Sequence, residues 1–219
     1  MITRAAQDYV KTILKLESDS VEVSTSSLAS TLGVTPSSVC GMLKKLSKER
    51  MVSYRQYRGV RLTRKGKRSA LEVLRRHRLI ELFLIEVLKM PWESVHREAE
   101  TLEHVVSDEV LARIDELLAY PKHDPHGSPI PSPDGKLSIS KAIRLDQLQV
   151  DQRGIVCEVE DDDSAMLQHL QKIGLVPGVR ITVNCVLSID GSRELRNGKR
   201  VLTVSEKVAS AVWVQIEQG

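Results

Sequence analysis

The 219-residue sequence predicts a mainly α-helical protein that ends in a small β domain. Apolar residues recur at helical spacing as far as about residue 118, and prolines then cluster between residues 120 and 138. Short β-like runs separated by turn residues follow from Ile143 onward. Aromatic residues make up only 3% of the chain, so the core must be built mainly from Leu, Ile and Val.

The N-terminal segment predicts two helices. Apolar residues with helical spacing indicate the first helix over residues 3–18. A polar connector follows, in which Ser26 or Ser27 can cap a short second helix over residues 28–32. That helix is expected to stop at Gly33, since glycine readily adopts the left-handed conformation that ends helices.

A third helix and a hairpin complete this segment. Thr35 is placed to cap a helix that has Pro36 at its first position and runs to about Lys48. Residues 51–63 then alternate around Arg58-Gly59, as a small hairpin does. The order helix, tight turn, helix, hairpin is that of a winged helix-turn-helix, a DNA-reading unit.

The charge distribution agrees with this interpretation. The net charge of +3 combines 17 basic and 6 acidic residues in positions 1–80 with 15 basic and 23 acidic residues in positions 81–219. Positions 40–80 alone hold 14 basic residues against 2 acidic ones, a density typical of a polyanion-binding face. A winged helix used only for protein contact is the alternative. The side chains expected to meet phosphates or base edges are Thr35, Ser37, Ser38, Lys44, Lys45, Lys48, Arg55, Arg58 and Arg61.

Two longer helices are predicted next, over residues 64–89 and from Pro91 or Trp92 to about Leu118. Imidazoles and carboxylates repeat on one face of each helix, which is how helical bundles bind divalent ions. A polar face with ion pairs four residues apart is the alternative. A further cluster lies in the proline-rich segment. The residues concerned are His77 and Glu81, then His96, Glu100, Glu103 and His104, and finally His123, Asp124 and His126.

Several function classes are excluded. The zinc-peptidase signature HExxH is absent, since His96 is followed by Arg97, and Glu100 occupies the first histidine position of HxxEH. The sequence has no phosphate-binding loop and no nucleophile elbow, so we expect no enzyme. No run of about 18 apolar residues predicts a membrane span, and the N-terminus is predicted to be an amphipathic helix rather than a signal peptide. The three cysteines are scattered, which favours a reducing cytosol: Cys40, Cys157 and Cys185.

The C-terminal third predicts a linker and a small β-barrel. Five of the eight prolines fall between residues 120 and 138, which indicates an extended linker. The turn signals Asp190-Gly191 and Asn197-Gly198 separate the β-like runs that follow. The expected elements are one helix, Ser164 to Ile173, and strands at Gly154 to Glu160, Val179 to Leu187, Val201 to Val204 and Val212 to Ile216.

These residues together resemble the diphtheria-toxin-repressor family of metal-dependent transcriptional repressors, in its manganese-responsive branch. The resemblance covers nearly the whole chain. It is carried by VTPSSVCGMLKKL (34–46), YRGVRLTRKGK (57–67), RHRLIELFL (76–84), VHREAETLEHVVSDEV (95–110), PHGSPIP (125–131) and DSAMLQHLQKIGLVPG (163–178). It implies a winged helix-turn-helix domain (1–63), a helical metal-binding and dimerisation domain (64–120), a linker (121–142) and an SH3-like, FeoA-like β-barrel (143–219).

The resemblance also implies two metal sites per subunit. Asp124 and His126 stand where some relatives have Cys-Pro-His, and Glu160 and Asp163 match an acidic pair of the SH3-like domain. One site is implied to consist of Asp8, Glu100, Glu103 and His104, and the other to involve His77, Glu81 and His96 with ligands from the linker or the SH3-like domain.

Three positions depart from the family. Lys11 stands where compact manganese regulators have a glutamate ligand, which argues against a binuclear site like theirs. Asp124 replaces a thiolate ligand, and Gly41 replaces a longer polar residue of the recognition helix, so neither metal selectivity nor base preference transfers.

The expected function is that of a cytoplasmic homodimeric repressor of metal-homeostasis genes. The resemblance implies that the homodimer binds a palindromic DNA operator when it is loaded with metal, which we expect to be Mn²⁺. We expect the protein to bind neither a membrane nor a small organic substrate. A ferrous-iron (Fe²⁺) repressor is the alternative within the family. A metal-binding scaffold whose winged helix contacts protein is the alternative from another class.

Overall fold

The computed structural model describes residues 3–17, 22–55, 58–138 and 141–217. Tyr57, which belongs to the predicted hairpin alternation, lies outside the described residues. The chain forms two compact units. The first comprises Met1–His77, Glu103–Val105 and Pro131–Leu137, and the second Arg78–Leu102, Val106–Ile130 and Ser138–Gly219.

The first unit confirms the winged helix-turn-helix. Its helices share one core, which receives the apolar stripe of the third helix, Val39, Leu43 and Leu46. The two strands pair antiparallel from Val52 opposite Leu62 to Arg55 opposite Gly59. The elements are α1 (Arg4–Glu17), α2 (Thr25–Leu32), α3 (Pro36–Lys48), β1 (Val52–Arg55), β2 (Gly59–Leu62) and the first part of α4 (Arg64–Glu86).

Helix caps explain where α2 and α3 begin. The cap of α2 is Ser24, whose Oγ accepts a hydrogen bond from Ser27 N at 3.0 Å, so the predicted caps at Ser26 and Ser27 were wrong. A cap hydroxyl satisfies the amide of the third residue after it, and helix α2 therefore starts earlier than expected. Thr35 caps α3 as predicted, and Gly33 ends α2 in the left-handed conformation.

The predicted single helix after residue 91 is two helices, α5 (Val95–Leu102) and α6 (Asp108–Leu117). The break falls at Ser107, whose hydroxyl accepts a hydrogen bond from Val110 N at 3.3 Å and caps α6. Two acidic residues at the start of α6 favour the same break, because they interact well with a helix N-terminus. Glu103 and His104 therefore lie in a turn after α5 instead of on a continuous stripe.

The proline-rich segment folds back on itself, which corrects the expectation of an extended linker. Asp124 Oδ1 accepts hydrogen bonds from His126 N at 2.8 Å and Ser128 N at 2.9 Å, forming a tight turn. His123 and Pro129 pair across the base of this turn as an isolated antiparallel bridge. The side chain of Asp124 thus accepts hydrogen bonds from two backbone amides of the turn and closes it.

The C-terminal part of the second unit is the expected small β domain. Its strands form one antiparallel sheet in the order β3-β8-β4-β5-β6-β7. Strands β3 and β6 and helix α8 were not predicted from the sequence. The elements are β3 (Ile143–Arg144), a 3₁₀ turn (Leu145–Gln147), β4 (Arg153–Val159), α7 (Ser164–Ile173), β5 (Arg180–Val186), β6 (Arg193–Asn197), β7 (Arg200–Val204), α8 (Glu206–Ser210) and β8 (Val212–Ile216).

Among the described residues, no helix is both long enough and apolar enough to cross a membrane.

Candidate metal centres and nucleic-acid interface

The first unit contains a group of potential metal ligands, which we term the coupling site: Asp8, Glu103 and His104. Asp8 comes from α1, and the other two come from the turn after α5. The Nε2 atom of His104 lies 2.8 Å from Asp8 Oδ1 and 3.3 Å from Glu103 Oε1. The site therefore joins the first helix of the DNA-reading unit to the turn at residues 103–105.

Two basic side chains flank the coupling site. Lys11 Nζ lies 2.7 Å from Glu103 Oε1, and His77 Nδ1 lies 2.5 Å from Glu103 Oε2. The Glu103 carboxylate is fully buried, and a buried carboxylate needs such partners to offset its lost hydration. His77, which the resemblance assigned to the other site, thus contacts a ligand of the coupling site.

The chemistry of the coupling site fits a divalent cation. The His104 side chain is 3% exposed, and its Nε2 atom makes no hydrogen bond within the described part of the chain although Asp8 Oδ1 is so near. Carboxylate oxygens and one imidazole nitrogen converge at this point. Such a donor set suits hard or borderline ions such as Mn²⁺ and Fe²⁺.

The second unit contains another group, which we term the linker site: Glu81, Asp124, His126 and Asp161. Glu81 lies on α4, Asp124 and His126 lie in the linker turn, and Asp161 follows β4. One ligand atom from each residue lies within 4.8 Å of the others. The first three are buried, so the linker site collects three carboxylates and one imidazole in an environment poor in water.

The electrostatics of the linker site also favour a cation. Burial raises the pKa of Asp124 well above that of an ordinary aspartate, and repulsion by Glu81 and Asp161 raises it further. Arg78, whose Nε lies 3.3 Å from Asp124 Oδ2, opposes this rise. The Nδ1 atom of His126 is buried and makes no hydrogen bond among the described residues. A divalent ion would offset the carboxylate repulsion and take up this nitrogen.

Contacts with neighbouring elements fix the linker turn. Val159 N donates to His126 O at 2.9 Å, and Ser128 Oγ donates to Glu158 Oε1 at 2.6 Å. Gly127 has a φ of +90°, and a Cβ at this position would lie 1.8 Å from Cys157 O. Only glycine fits such a close approach to β4, so the turn is held on the β domain.

Two further predicted ligands, His96 and Glu100, lie together in the second unit. His96 Nδ1 is 3.1 Å from Glu81 Oε1, and its Nε2 is 3.7 Å from Glu100 Oε1 and 3.9 Å from Asp162 Oδ1. His96 therefore contacts Glu81, a residue of the linker site. Glu100, which the resemblance implied for the site with Asp8, lies beside His96 instead and is not part of the coupling site. His123 belongs to none of the ligand groups found among the described residues.

Sequence reasoning missed Asp161, the ligand that the β domain contributes to the linker site. It named Glu160 and Asp163 from the same acidic run. The structure places Glu160 at the surface, and Asp163 caps α7 by accepting hydrogen bonds from Ala165 N and Met166 N. The acidic run was the available signal, but which carboxylate points to the site depends on where β4 ends.

The side chains predicted to contact DNA lie on the surface of α3 and the hairpin. Thr35, Ser37 and Ser38 share hydrogen bonds of 2.9 Å between their hydroxyls, and Thr35 also caps α3. Within the described residues, no ion pair involves the three lysines of α3 or the arginines at positions 55 and 58, so these charges are available to phosphates. The exposed cations are Lys44, Lys45, Lys48, Arg55, Arg58 and Arg61.

Three protein-family models match the chain in succession. The iron dependent repressor N-terminal DNA binding domain matches residues 1–60. The iron dependent repressor metal binding and dimerisation domain matches residues 63–132, and the FeoA domain matches residues 143–216.

Individual proteins are similar along most of their length. The iron-dependent repressor IdeR of Mycobacterium leprae is 30% identical, with 94% of this chain and 95% of that protein covered. The regulator MntR of Bacillus subtilis is 35% identical over 57% of this chain and 87% of its own length. The solved structure of a manganese-dependent transcriptional repressor in complex with manganese is 36% identical, has a TM-score of 0.92 and covers 97% of this chain and 100% of that one.

Proposed function

Because the chain belongs to the iron-dependent-repressor family of metal-dependent transcriptional repressors, we propose that it represses metal-homeostasis genes when it binds divalent manganese. The coupling site is the observation that carries this proposal. It places a ligand on α1, next to the DNA-reading helices, opposite two ligands in the turn after α5. The domain limits 1–63, 64–120, 121–142 and 143–219 form part of the proposal, supported by the positions of the three family matches.

The donor atoms support manganese as the ion. Neither the coupling site nor the linker site contains a sulfur ligand among the described residues, and each offers two or more carboxylates. Oxygen-rich sites are typical for Mn²⁺, whereas softer ligands favour later transition metals. The solved manganese complex that resembles this chain at a TM-score of 0.92 supports the same choice. We propose one ion at each site.

A ferrous-iron repressor is the second candidate, and it rests on a specific observation. The iron-dependent repressor of Mycobacterium leprae is similar along 95% of its length. Because both sites present carboxylates and imidazoles, they can also accept Fe²⁺.

The proposed mechanism is linkage between metal binding and the arrangement of α1. A bound ion supplies a divalent charge that three ligands can share. With an ion bound there, Asp8 would hold α1 against the turn at Glu103 and His104. This arrangement is favoured only to the extent that it binds the ion better than other arrangements do.

The DNA-bound form is proposed to be a homodimer on a palindromic operator. Repressors of this family bind DNA and dimerise. The exposed hydroxyls at the start of α3 are proposed to meet base edges or phosphates, and the hairpin arginines to contact the backbone. All three cysteines are free thiols, which supports a role in the reducing cytoplasm.

The substitution Asp8→Ala tests this mechanism. The DNA probe is a duplex selected from a random pool by the manganese-loaded wild-type protein. We expect Mn²⁺ to raise operator affinity of the wild type by about 5–150-fold, the usual range of allosteric coupling. In Asp8→Ala this stimulation is expected to disappear while the protein stays folded and dimeric, because alanine is a good helix former.

The matched control is Glu72→Ala, which removes an exposed carboxylate from the same unit. It is expected to keep full stimulation. Undiminished stimulation in Asp8→Ala would refute the coupling, and stimulation of the wild type by Fe²⁺ at lower free concentration than by Mn²⁺ would favour the iron alternative.

A further inference from the structure

One side chain outside the ligand groups contacts the coupling site directly. Gln7 precedes Asp8 on α1, and its Oε1 lies 2.7 Å from Nδ1 of His104. An amide oxygen can only accept a hydrogen bond, so the Nδ1 atom of His104 carries the proton in this contact. Both atoms lie in the first unit, and the His104 side chain is almost completely buried.

In a neutral ring, this contact fixes the state of the opposite nitrogen. A neutral imidazole carries one proton, so a proton on Nδ1 leaves Nε2 with a free lone pair. The Nε2 atom is the one that lies 2.8 Å from Asp8 Oδ1 and 3.3 Å from Glu103 Oε1. It is buried and makes no hydrogen bond to the rest of the described chain. The ring thus presents a metal-binding nitrogen toward two carboxylates.

We propose that Gln7 is a positioning residue of the coupling site, which fixes the tautomer and orientation of His104 by accepting its Nδ1 proton. Two successive residues of α1 then hold the two sides of one imidazole ring. Asp8 faces the nitrogen that binds metal, and Gln7 binds the nitrogen that does not. Metal-binding histidines are commonly oriented by such a partner, and its loss typically reduces metal affinity by about 10–100-fold.

The inference rests on the proposed function, but removing Gln7 is expected to have different consequences from removing Asp8. Gln7 supplies no ligand atom, so its removal should weaken metal binding without changing the number of ions bound. Removing the Gln7 side chain should also affect the metal-free protein, in which the tautomer of His104 can be observed directly.

The test compares Gln7→Leu, which has a similar size and no acceptor, with Gln7→Glu, which keeps an acceptor oxygen at the same reach. The control is Gln171→Leu, at an exposed position on α7. The first measurement is the ¹⁵N chemical shift of both His104 ring nitrogens in metal-free protein, in buffer where the ring is neutral. The second is calorimetric titration with MnCl₂ alone.

In the wild type, Gln7→Glu and Gln171→Leu, we expect the shift of a protonated nitrogen at Nδ1 and of an unprotonated nitrogen at Nε2. In Gln7→Leu we expect a mixture of tautomers and a Kd for Mn²⁺ at the coupling site that is about 10–100-fold higher, with unchanged stoichiometry. Gln7→Glu should bind Mn²⁺ at least as tightly as the wild type, since it keeps the acceptor and adds a negative charge.

An unchanged tautomer and an unchanged Kd in Gln7→Leu would overturn the inference and leave the proposed function intact. Conversely, a wild-type protein with the expected tautomer but no Mn²⁺ binding at this site would contradict the proposed function alone. If Gln7→Leu and Gln7→Glu both lose affinity to the same extent, the acceptor oxygen is not the cause and the inference is again overturned.

Discussion

The buried carboxylate of Glu103 already has a cation beside it before any metal is considered. Lys11 Nζ lies 2.7 Å from its Oε1, and the Lys11 side chain is only 14% exposed. An ammonium group at this position neutralises one carboxylate charge and repels a second divalent ion placed nearby. We therefore expect the residue at position 11 to set how many ions the coupling site can hold. The lysine, which repels a second ion and supplies no oxygen ligand, is expected to limit the site to one ion.

The substitution Lys11→Glu is expected to increase that number. It removes the repelling ammonium and adds a fourth potential ligand residue beside Glu103. We expect calorimetry with MnCl₂ to show one additional ion per subunit, and electron paramagnetic resonance to show magnetic coupling between two neighbouring Mn²⁺ ions. The metal-free variant should be less stable than the wild type, because a buried carboxylate loses its charged partner.

Lys11→Gln separates the effect of charge from the effect of a new ligand. It removes the ammonium without supplying a carboxylate, so it is expected to keep wild-type stoichiometry. An additional ion in Lys11→Gln would show that repulsion alone limits the site, and the absence of one in Lys11→Glu would contradict the role assigned to Lys11.

At the level of elements, the position of the linker turn matters most for the linker site. It supplies two ligands of the linker site, Asp124 and His126, and its backbone is fixed against β4 at Gly127. The turn also contacts the residues before α5, since Trp92 Nε1 donates to Pro125 O at 3.1 Å. Its position therefore determines whether the ligands of the linker site converge.

Gly127→Ala is expected to disrupt the linker site without changing any ligand. The added Cβ would lie 1.8 Å from Cys157 O, so the turn must move away from β4. We expect Mn²⁺ affinity at the linker site to fall by about 10–100-fold, as for other losses of ligand support. Titration calorimetry is the measurement, and affinity at the coupling site should be unchanged.

Gly135→Ala is the matched control, because Gly135 also has a positive φ. A Cβ added to Gly135 would lie no closer than 4.0 Å to its nearest neighbour, Arg68 Cγ. It should cost only the left-handed strain of about 1–2 kcal/mol in folding free energy. Equal Mn²⁺ binding by both variants and the wild type would mean that the position of the turn does not control the linker site.

The elements also show what the sequence could reveal. Local signals sufficed for α1, α3 and the hairpin, where periodicity, a cap and a glycine coincide. They failed between α5 and α6, because apolar periodicity continues across the break while Ser107 caps a new helix. The imidazoles and carboxylates predicted in the α4–α5 region lie in groups that could hold a metal ion, but their grouping depends on this break.

The linker shows a second limit of sequence reasoning. Proline spacing correctly excluded regular secondary structure but did not reveal that Asp124 would fold the segment into a turn. Asp161 was missed for a related reason. Residues 160–163 are all acidic, and the sequence alone does not show which of their side chains points to the site until the end of β4 is known. The residue types that can bind a metal ion were thus visible in the sequence, whereas the groups that they form depend on tertiary packing.

For the whole molecule, the charged residues and the potential metal ligands are distributed differently along the chain. The basic residues concentrate in positions 1–80, as expected for a DNA-binding part, and residues 81–219 carry an excess of acidic side chains. Among the described residues, the coupling site lies in the first unit and the linker site in the second, so metal occupancy can be reported by both. Of the ligand groups found among the described residues, only the coupling site includes a residue of α1, the first helix of the DNA-reading unit.

The last prediction concerns which ion activates the whole molecule. Mn²⁺ lies at the bottom of the affinity order of first-row divalent metals, so raw affinity favours zinc at any such site. Selectivity must therefore arise from geometry. Zinc is satisfied by four ligands in a tetrahedron, whereas Mn²⁺ commonly adopts an octahedral arrangement of oxygen ligands. The carboxylate of Asp8 would take different positions around the two ions, and only one of these positions can match the DNA-bound arrangement of α1.

We therefore expect zinc to bind more tightly than manganese but to stimulate operator binding several-fold less at saturation. The measurement is fluorescence anisotropy with the selected duplex, titrated with Mn²⁺, Fe²⁺, Co²⁺ and Zn²⁺ in one buffer, alongside calorimetry that confirms saturation. Asp8→Ala serves as the control, since all four ions should give the same low operator affinity when the α1 ligand is missing. If saturating zinc stimulates the wild type as strongly as manganese, coordination geometry at Asp8 does not select the ion, and selectivity must then lie in metal supply rather than in this chain.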